Sequence, residues 1–288
     1  MIAQGFTDNA AVRALAAANG ALCTIVTIEG SYSRRIGAQL AVLEDGSIVG
    51  SLADGCLEAQ LAHEARNAAG GTACLRRFGK GSPLIDFRLP CGAGIDVVID
   101  PQPDRPAIEA LVNQLDRRRS ARLSVSTPAM PMPFVRHYRP ELRVVILGSG
   151  PEAQALAHQA NAFGLQTELM QPRNAAGGEL TLYQPADVPL DKWTAVVALF
   201  HDHAWESGVL PWALASEAFY VGAQGGWVAR EQRKTMLTNA GLLPSQTARL
   251  RSPVGLIGHA RDPAVLALSI LAEIVRDYEA LVDRDSDE

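Results

Sequence analysis

Three features predict a two-part α/β chain: an apolar strand at 143–147 that runs into a glycine turn, strands alternating with helices after it, and a proline-crowded stretch just before it. The fold class is a mixed α/β N-terminal domain over 1–126 and a C-terminal Rossmann-like domain with a parallel sheet over 141–288. A Pro-rich linker, 127–140, joins them. The length of 288 residues agrees, since roughly 150 residues make a domain. The linker assignment rests on Pro128, Pro131, Pro133 and Pro140, because proline removes a backbone donor and restricts the residue before it.

In the N-terminal part, residues 9–19 read as a helix stopped by Gly20. The β-branched run 22–28 reads as a buried strand, and a Gly/Ser/Arg loop over 30–37 leads to a strand at 38–43. Asp45-Gly46 then signals a hairpin turn into a return strand at 47–49. A loop over 51–55 feeds a helix at 56–69, followed by strands at 73–78 and 95–99 and a helix that Pro106 opens. After the linker, 143–147 is followed by a helix to Phe163, strands at 166–170, 195–200 and 219–221, and a helix near 206–216. Asp262 caps the last helix, where Leu268, Leu271, Val275, Tyr278 and Val282 line one face. Such alternation implies right-handed crossovers in a parallel sheet.

Composition excludes several classes. With 48% hydrophobic and 20% charged residues the chain is globular. A net charge of −5, with no basic run beyond Arg117-Arg118-Arg119, argues against a nucleic-acid surface. No apolar stretch approaches the ~20 residues that span a bilayer, and the N-terminus lacks a signal-peptide pattern, so a cytoplasmic protein with no membrane partner is expected. Four cysteines without CxxC spacing give no zinc signature. Cys23 and Cys74, inside strands, read as small buried hydrophobes.

The other two cysteines stand where scaffolds display reactive groups. Gly55-Cys56 opens a helix, whose N-terminus favours thiolate. Cys91-Gly92 lies in a glycine-rich loop before a strand. Glu58, one turn into the Cys56 helix, could cap that helix or accept a hydrogen bond from a ligand amine. Arg34 and Arg35 could grip phosphate or carboxylate with planar forks. In the C-terminal part, Gly148-x-Gly150-x-x-Ala153 follows a strand and opens a helix, the arrangement that brings backbone amides to a phosphate. Pro151 removes one donor, Glu152 puts a negative charge where phosphate would lie, and Gln171 stands where an acidic residue would hold a ribose. Poor or absent NAD(P) affinity is therefore expected. His201-Asp202-His203 ends the third strand at the carboxyl edge, where one imidazole can face the cleft; in an extended chain two such histidines point apart and do not share a metal.

Taken together, these segments resemble the XdhC family, accessory proteins of xanthine dehydrogenase and related molybdenum hydroxylases. Gly30-Ser31 with Arg34 and Gly37-Ala38 is similar to the family's GS-x-PR-x-x-GA loop, with Ser33 in place of proline. Residues 50–58 are similar to its GS-x-GGGC-x-E segment, with Ala53 and Asp54 replacing glycines, and Phe78-Gly79 and 89–92 match later signatures. The C-terminal half is more eroded: 148–153 stands for GAGHVG, Gln171 and Arg173 for D-x-R, and Phe200-His201-Asp202 for THD. Tyr220-Val221-Gly222 and 269–274 keep the pattern. The resemblance implies a chaperone that carries molybdenum cofactor as transient cargo to a xanthine dehydrogenase-like client, working as a homodimer. Cofactor-binding residues would be Cys56, Cys91, Glu58, Arg34, Arg35, Gly55, Gly92, Gly148, Gly150 and His201, with Cys56 able to reach molybdenum directly. The rival from the residues is an NAD(P)-dependent oxidoreductase using the Rossmann half near His201.

Overall fold

The computed structural model describes residues 9–53, 55–68, 71–83, 91–173, 180 and 188–285. The chain forms two compact units, Met1–Pro140 and Glu141–Glu288.

In the first unit the element order is α1 (Ala10–Ala17), β1 (Gly20–Glu29), β2 (Gln39–Leu43), β3 (Ile48–Gly50), α2 (Cys56–Asn67), β4 (Cys74–Gly79), β5 (Gly94–Asp100), α3 (Arg105–Asp116), β6 (Ala121–Val125) and β7 (Phe134–Tyr138). Five strands make an antiparallel sheet in the order β3-β2-β1-β5-β4. Its two faces bury separate clusters. Cys23, Ile25, Leu40, Val97 and Ile99 pack with Leu57 and Leu61 of α2, while Leu22 and Ala41 pack with Val12, Leu15, Ile108 and Leu111 of α1 and α3. The alternation along β1 is what sends neighbouring residues to opposite clusters. Asp104 Oδ1 accepts from Ala107 N at 3.1 Å and caps α3, with Pro106 in its first turn.

The 127–140 stretch is not a linker throughout. Phe134–Tyr138 is strand β7, paired antiparallel with β6 inside the first unit. Pro128, Pro131 and Pro133 precede the strand and Pro140 follows it, so none takes a donor from its ladder. Both hairpin strands were hidden from the sequence pattern by polar residues. One of these, Arg136, is buried, beside Tyr138: its guanidinium and the Tyr138 hydroxyl both donate to Gln39 Oε1, the latter at 2.8 Å.

The second unit holds β8 (Arg143–Gly148), α4 (Pro151–Ala162), β9 (Gln166–Met170), β10 (Thr194–Leu199), a 3₁₀ turn (His203–Trp205), α5 (Glu206–Ala215), β11 (Tyr220–Ala223), α6 (Trp227–Asn239), α7 (Pro244–Thr247), β12 (Leu250–Arg251) and α8 (Pro263–Asp285). All five strands are parallel, in the order β12-β11-β10-β8-β9. Strands β8 and β10 are buried throughout, as expected of a parallel sheet covered on both faces. The order reverses between β8 and β10, so the crevice beyond their carboxyl ends is the place for a ligand in this architecture. Asp262 Oδ1 accepts from Ala264 N and Val265 N and caps α8. Of the face expected of α8, Leu271 and Tyr278 are buried and Val275 packs half-buried against the same core. Leu268, by contrast, is 52% exposed, and the Val282 side chain lies outside the described residues. Ala267, Ile270 and Ile274 complete the buried face.

Among the described residues no helix is long and apolar enough to cross a membrane.

Candidate functional site

Antiparallel pairing gathers the chemistry-bearing loops of the first unit at one edge of its sheet. Glu29, ending β1, and Gly79, ending β4, both pair with Gly94, which begins β5. Gly50, ending β3, pairs with Leu40 at the start of β2. The loops carrying Arg34 and Arg35, Ser51 to Cys56, Lys80, and Cys91 with Gly92 therefore leave the sheet at the same end. Gly30 sits against Ala93, whose carbonyl accepts from Lys80 N at 2.9 Å.

Two of these loops are tied into one body by Glu58. Its Oε1 accepts from Leu52 N at 2.8 Å and Ala53 N at 2.6 Å, and its Oε2 accepts from Gly55 N at 2.8 Å. Ser51 Oγ also lies within 3.2 Å of Oε1. Burial pushes the Glu58 carboxyl up, but the amide bonds from Ala53, Gly55 and Leu52 outweigh it and hold the group below the ordinary carboxylate range. Of the two roles open in the sequence, the structure shows the capping one: both oxygens are engaged by the loop. Gly55 has φ +114°, a conformation side chains rarely adopt, and this lets the loop turn sharply into α2.

The Arg34 loop is clamped onto that body. Arg34 donates to Ser51 O at 3.2 Å and Ser51 Oγ at 3.0 Å, and Tyr32 Oη donates to Leu52 O at 2.7 Å. Arg35 is exposed on the same loop, its carbonyl accepting from Ala38 N at 3.1 Å. Arg136 and Phe134 of β7 back the loop from beneath Gly37. Cys56 begins α2 with its amide end toward this edge; its side chain lies outside the description, as do Asp54, Leu89 and Pro90. Cys91 is an exposed free thiol. Cys23 is its opposite, buried among β-strands, and desolvation with Cys74 and Asp100 nearby pushes its thiol up to about 12. The inertness expected of Cys23 thus has a physical cause. An ion-pair cluster, with Glu29 bridging Arg77 and Lys80 and Arg77 reaching Asp96 at 3.0 Å, stiffens the β4–β5 end and had no sequence signal.

The second unit carries a separate group. Gly148 lies so close to the Leu199 carbonyl that a Cβ would overlap it, the tight packing expected of the fingerprint's first glycine. Glu152, in the first turn of α4, places Oε2 3.4 Å from His201 Nε2. Beside them, buried Glu206 takes two bonds from buried Arg233, at 2.6 and 2.7 Å, and a third contact at 2.9 Å from His203 Nδ1. Arg233 also donates to Ser252 Oγ at 2.9 Å and to Gln224 O. Sequence reading missed this network because α6 buries only Arg233 and Leu237, which leaves no apolar stripe to detect. Among the described residues no three His, Cys, Asp or Glu side chains stand together as a metal site.

One unit with an antiparallel sheet that gathers its loops at one edge, and one with a parallel sheet whose strand order reverses between β8 and β10, define a two-unit α/β protein with a Rossmann-like half. The model of the XdhC Rossmann domain matches residues 144–274, and that of the XdhC and CoxI family matches residues 14–79. The molybdenum cofactor insertion chaperone PaoD of Escherichia coli (strain K12) is 35% identical over 280 residues, 92% of this chain and 85% of that protein. The chain belongs to the XdhC family. A crystal structure of a xanthine dehydrogenase from Bacillus halodurans has the same fold, with TM-score 0.71 and 20% identity over 93% of this chain and 95% of that one.

Proposed function

We propose that this chain binds molybdenum cofactor as a transient cargo and assists its insertion into a xanthine dehydrogenase-type molybdenum hydroxylase. The observation that carries the reading is its similarity to a molybdenum cofactor insertion chaperone along nearly the whole chain. The chemistry at the sheet edge supports it. Soft thiolate from Cys56 or Cys91 suits molybdenum or its sulfur ligands, and the guanidinium groups of Arg34 and Arg35 suit the cofactor's phosphate. Glu58 and Tyr32 hold the loops that carry them, so the ligand meets a preformed rim and little ordering entropy is lost on binding. The protein works in the cytoplasm as a homodimer; light scattering that reports a monomer at working concentration would remove the second part.

The test is activation of an apo-hydroxylase. Cofactor-loaded chain should raise the client's turnover above that given by free cofactor, and Arg34→Ala should lose the gain. Equal activation with and without the chain would overturn the reading.

A further inference from the structure

The fingerprint loop of a dinucleotide fold meets a phosphate with backbone amides and a helix N-terminus. Over Gly150 this chain offers something else. A Cβ placed on Gly150 would lie 3.5 Å from Glu152 Oε2 and 3.9 Å from His201 Nε2, so the space that glycine leaves open is bordered by a carboxylate oxygen and an imidazole nitrogen. Glu152 Oε2 is buried, yet among the described residues it has no hydrogen-bond partner; the 3.4 Å approach of His201 lacks hydrogen-bond geometry. A desolvated acceptor without a donor is unfavourable, and a ligand that brings an N–H to it recovers that free energy. A phosphate would add a second negative charge there instead.

The imidazole is 69% exposed, while the turn that carries it is fixed from behind. Gln224 Nε2 donates to Phe200 O at 3.2 Å, Asp202 Oδ1 accepts from Ala204 N at 3.0 Å, and His203 is held at Glu206, itself clamped by Arg233. The residues framing Gly150 therefore sit on a rigid support rather than a loose loop. A carboxylate beside an imidazole, at the point where strand order reverses, matches a ligand that presents adjacent N–H donors next to an acceptor.

We propose that Glu152 and His201, across Gly150, take the hydrogen-bonding edge of a planar heterocycle, the 2-amino-pyrimidin-4-one edge that a pterin carries, and that this loop has exchanged phosphate binding for ring recognition. The ring N–H and the exocyclic amine are neighbouring donors to the Glu152 carboxylate, much as a guanidinium is, and the ring acceptors face His201. This site is the second unit's own: it rests on the residues around Gly150 and not on the first unit's edge, so it stands or falls apart from the cofactor reading.

The experiment titrates the full chain with free pterin and with lumazine, the same ring with oxygen replacing the exocyclic amine, following pteridine fluorescence. Wild type should bind pterin at least about tenfold tighter than lumazine, the factor expected of one charge-assisted hydrogen bond. Glu152→Gln, which keeps the side-chain shape, should erase that preference, and His201→Ala should weaken both ligands; unchanged melting curves would show that each variant is folded. Equal binding of the two ligands by wild type, or a preference that survives Glu152→Gln, would overturn the proposal. Molybdenum content of the same preparations separates it from the cofactor reading. Retained molybdenum without pterin discrimination would sink this inference alone, and discrimination without retained molybdenum would support it while removing the cargo.

Discussion

Replacing Glu58 by glutamine tests whether one carboxylate builds the rim of the first unit. Glutamine keeps a single acceptor oxygen and turns the other position into an N–H₂ group facing an N–H donor. Either Gly55 N or the pair Leu52 N and Ala53 N then loses its partner, and the bonds that survive lose their charge. A hydrogen bond to a charged group contributes about 1.5–3 kcal/mol, but Gly55 is exposed and Ala53 half-buried, so water replaces part of the loss. The net cost should be about 2 kcal/mol at neutral pH, roughly a 4–8 °C fall in the Tm of that unit. The pH dependence has a definite sign. Because the folded carboxyl is held below its ordinary value, its stabilisation is fully present above the unfolded pKa of about 4.3 and is lost as pH falls through the folded value. Melting curves for wild type and Glu58→Gln should differ at pH 7 and converge in acid. Curves that coincide at pH 7, or a gap that acid leaves intact, would refute the account of the loop.

Other outcomes follow from single groups. Glu206→Gln should destabilise the second unit by about 3–5 kcal/mol in urea melts, since it leaves Arg233, 2% exposed, as a buried charge without its counter-ion; a loss under 1 kcal/mol would contradict this. In the native chain a thiol reagent should modify Cys91 quickly and Cys23 only on unfolding, because one is exposed and the other has its thiol pushed up to about 12; peptide mapping that finds Cys23 labelled under native conditions would show the sheet to be looser than described. Calorimetric titration should detect no low-micromolar binding of NAD or NADP, since Glu152 borders the space over Gly150; such binding would restore the oxidoreductase alternative.

Much of the architecture is visible in the sequence because backbone demands leave strong marks. The apolar run at Arg143–Gly148 followed by Gly150 and a helix has few solutions other than a parallel strand, tight turn and crossover helix. The antiparallel meander of β1, β2 and β3 is likewise marked by Asp45-Gly46, where Asp45 Oδ1 takes the Ser47 amide at 2.8 Å. What the sequence hides is structure held by polar groups. Strand β7 faces Arg136 inward to meet Gln39, a partner 97 residues away, and α6 buries an arginine for a glutamate 27 residues earlier. Neither leaves an apolar period, so periodicity reads both as loop. At the sheet edge, motif positions gave Arg34, Gly55, Glu58, Cys91 and Gly92, which leave the sheet at one end. Tyr32, which locks one loop to the other, carries no signature because it acts through one hydroxyl on the Leu52 carbonyl, and the motif that includes Ser51 does not reveal that Arg34 clamps onto it.

The central claim, that the chain carries molybdenum cofactor through the thiol-bearing edge of its first unit, is tested most directly by purifying wild type and Cys56→Ser from a host that makes the cofactor. Molybdenum and pterin are then quantified beside thermal melting. The account predicts near-equimolar molybdenum and pterin on wild type, and loss of both on Cys56→Ser with a melting curve changed by no more than ~1 kcal/mol of stability. Wild type free of molybdenum and pterin would contradict the claim, and full retention by Cys56→Ser would remove that thiol from the site and leave Cys91 with Arg34 and Arg35.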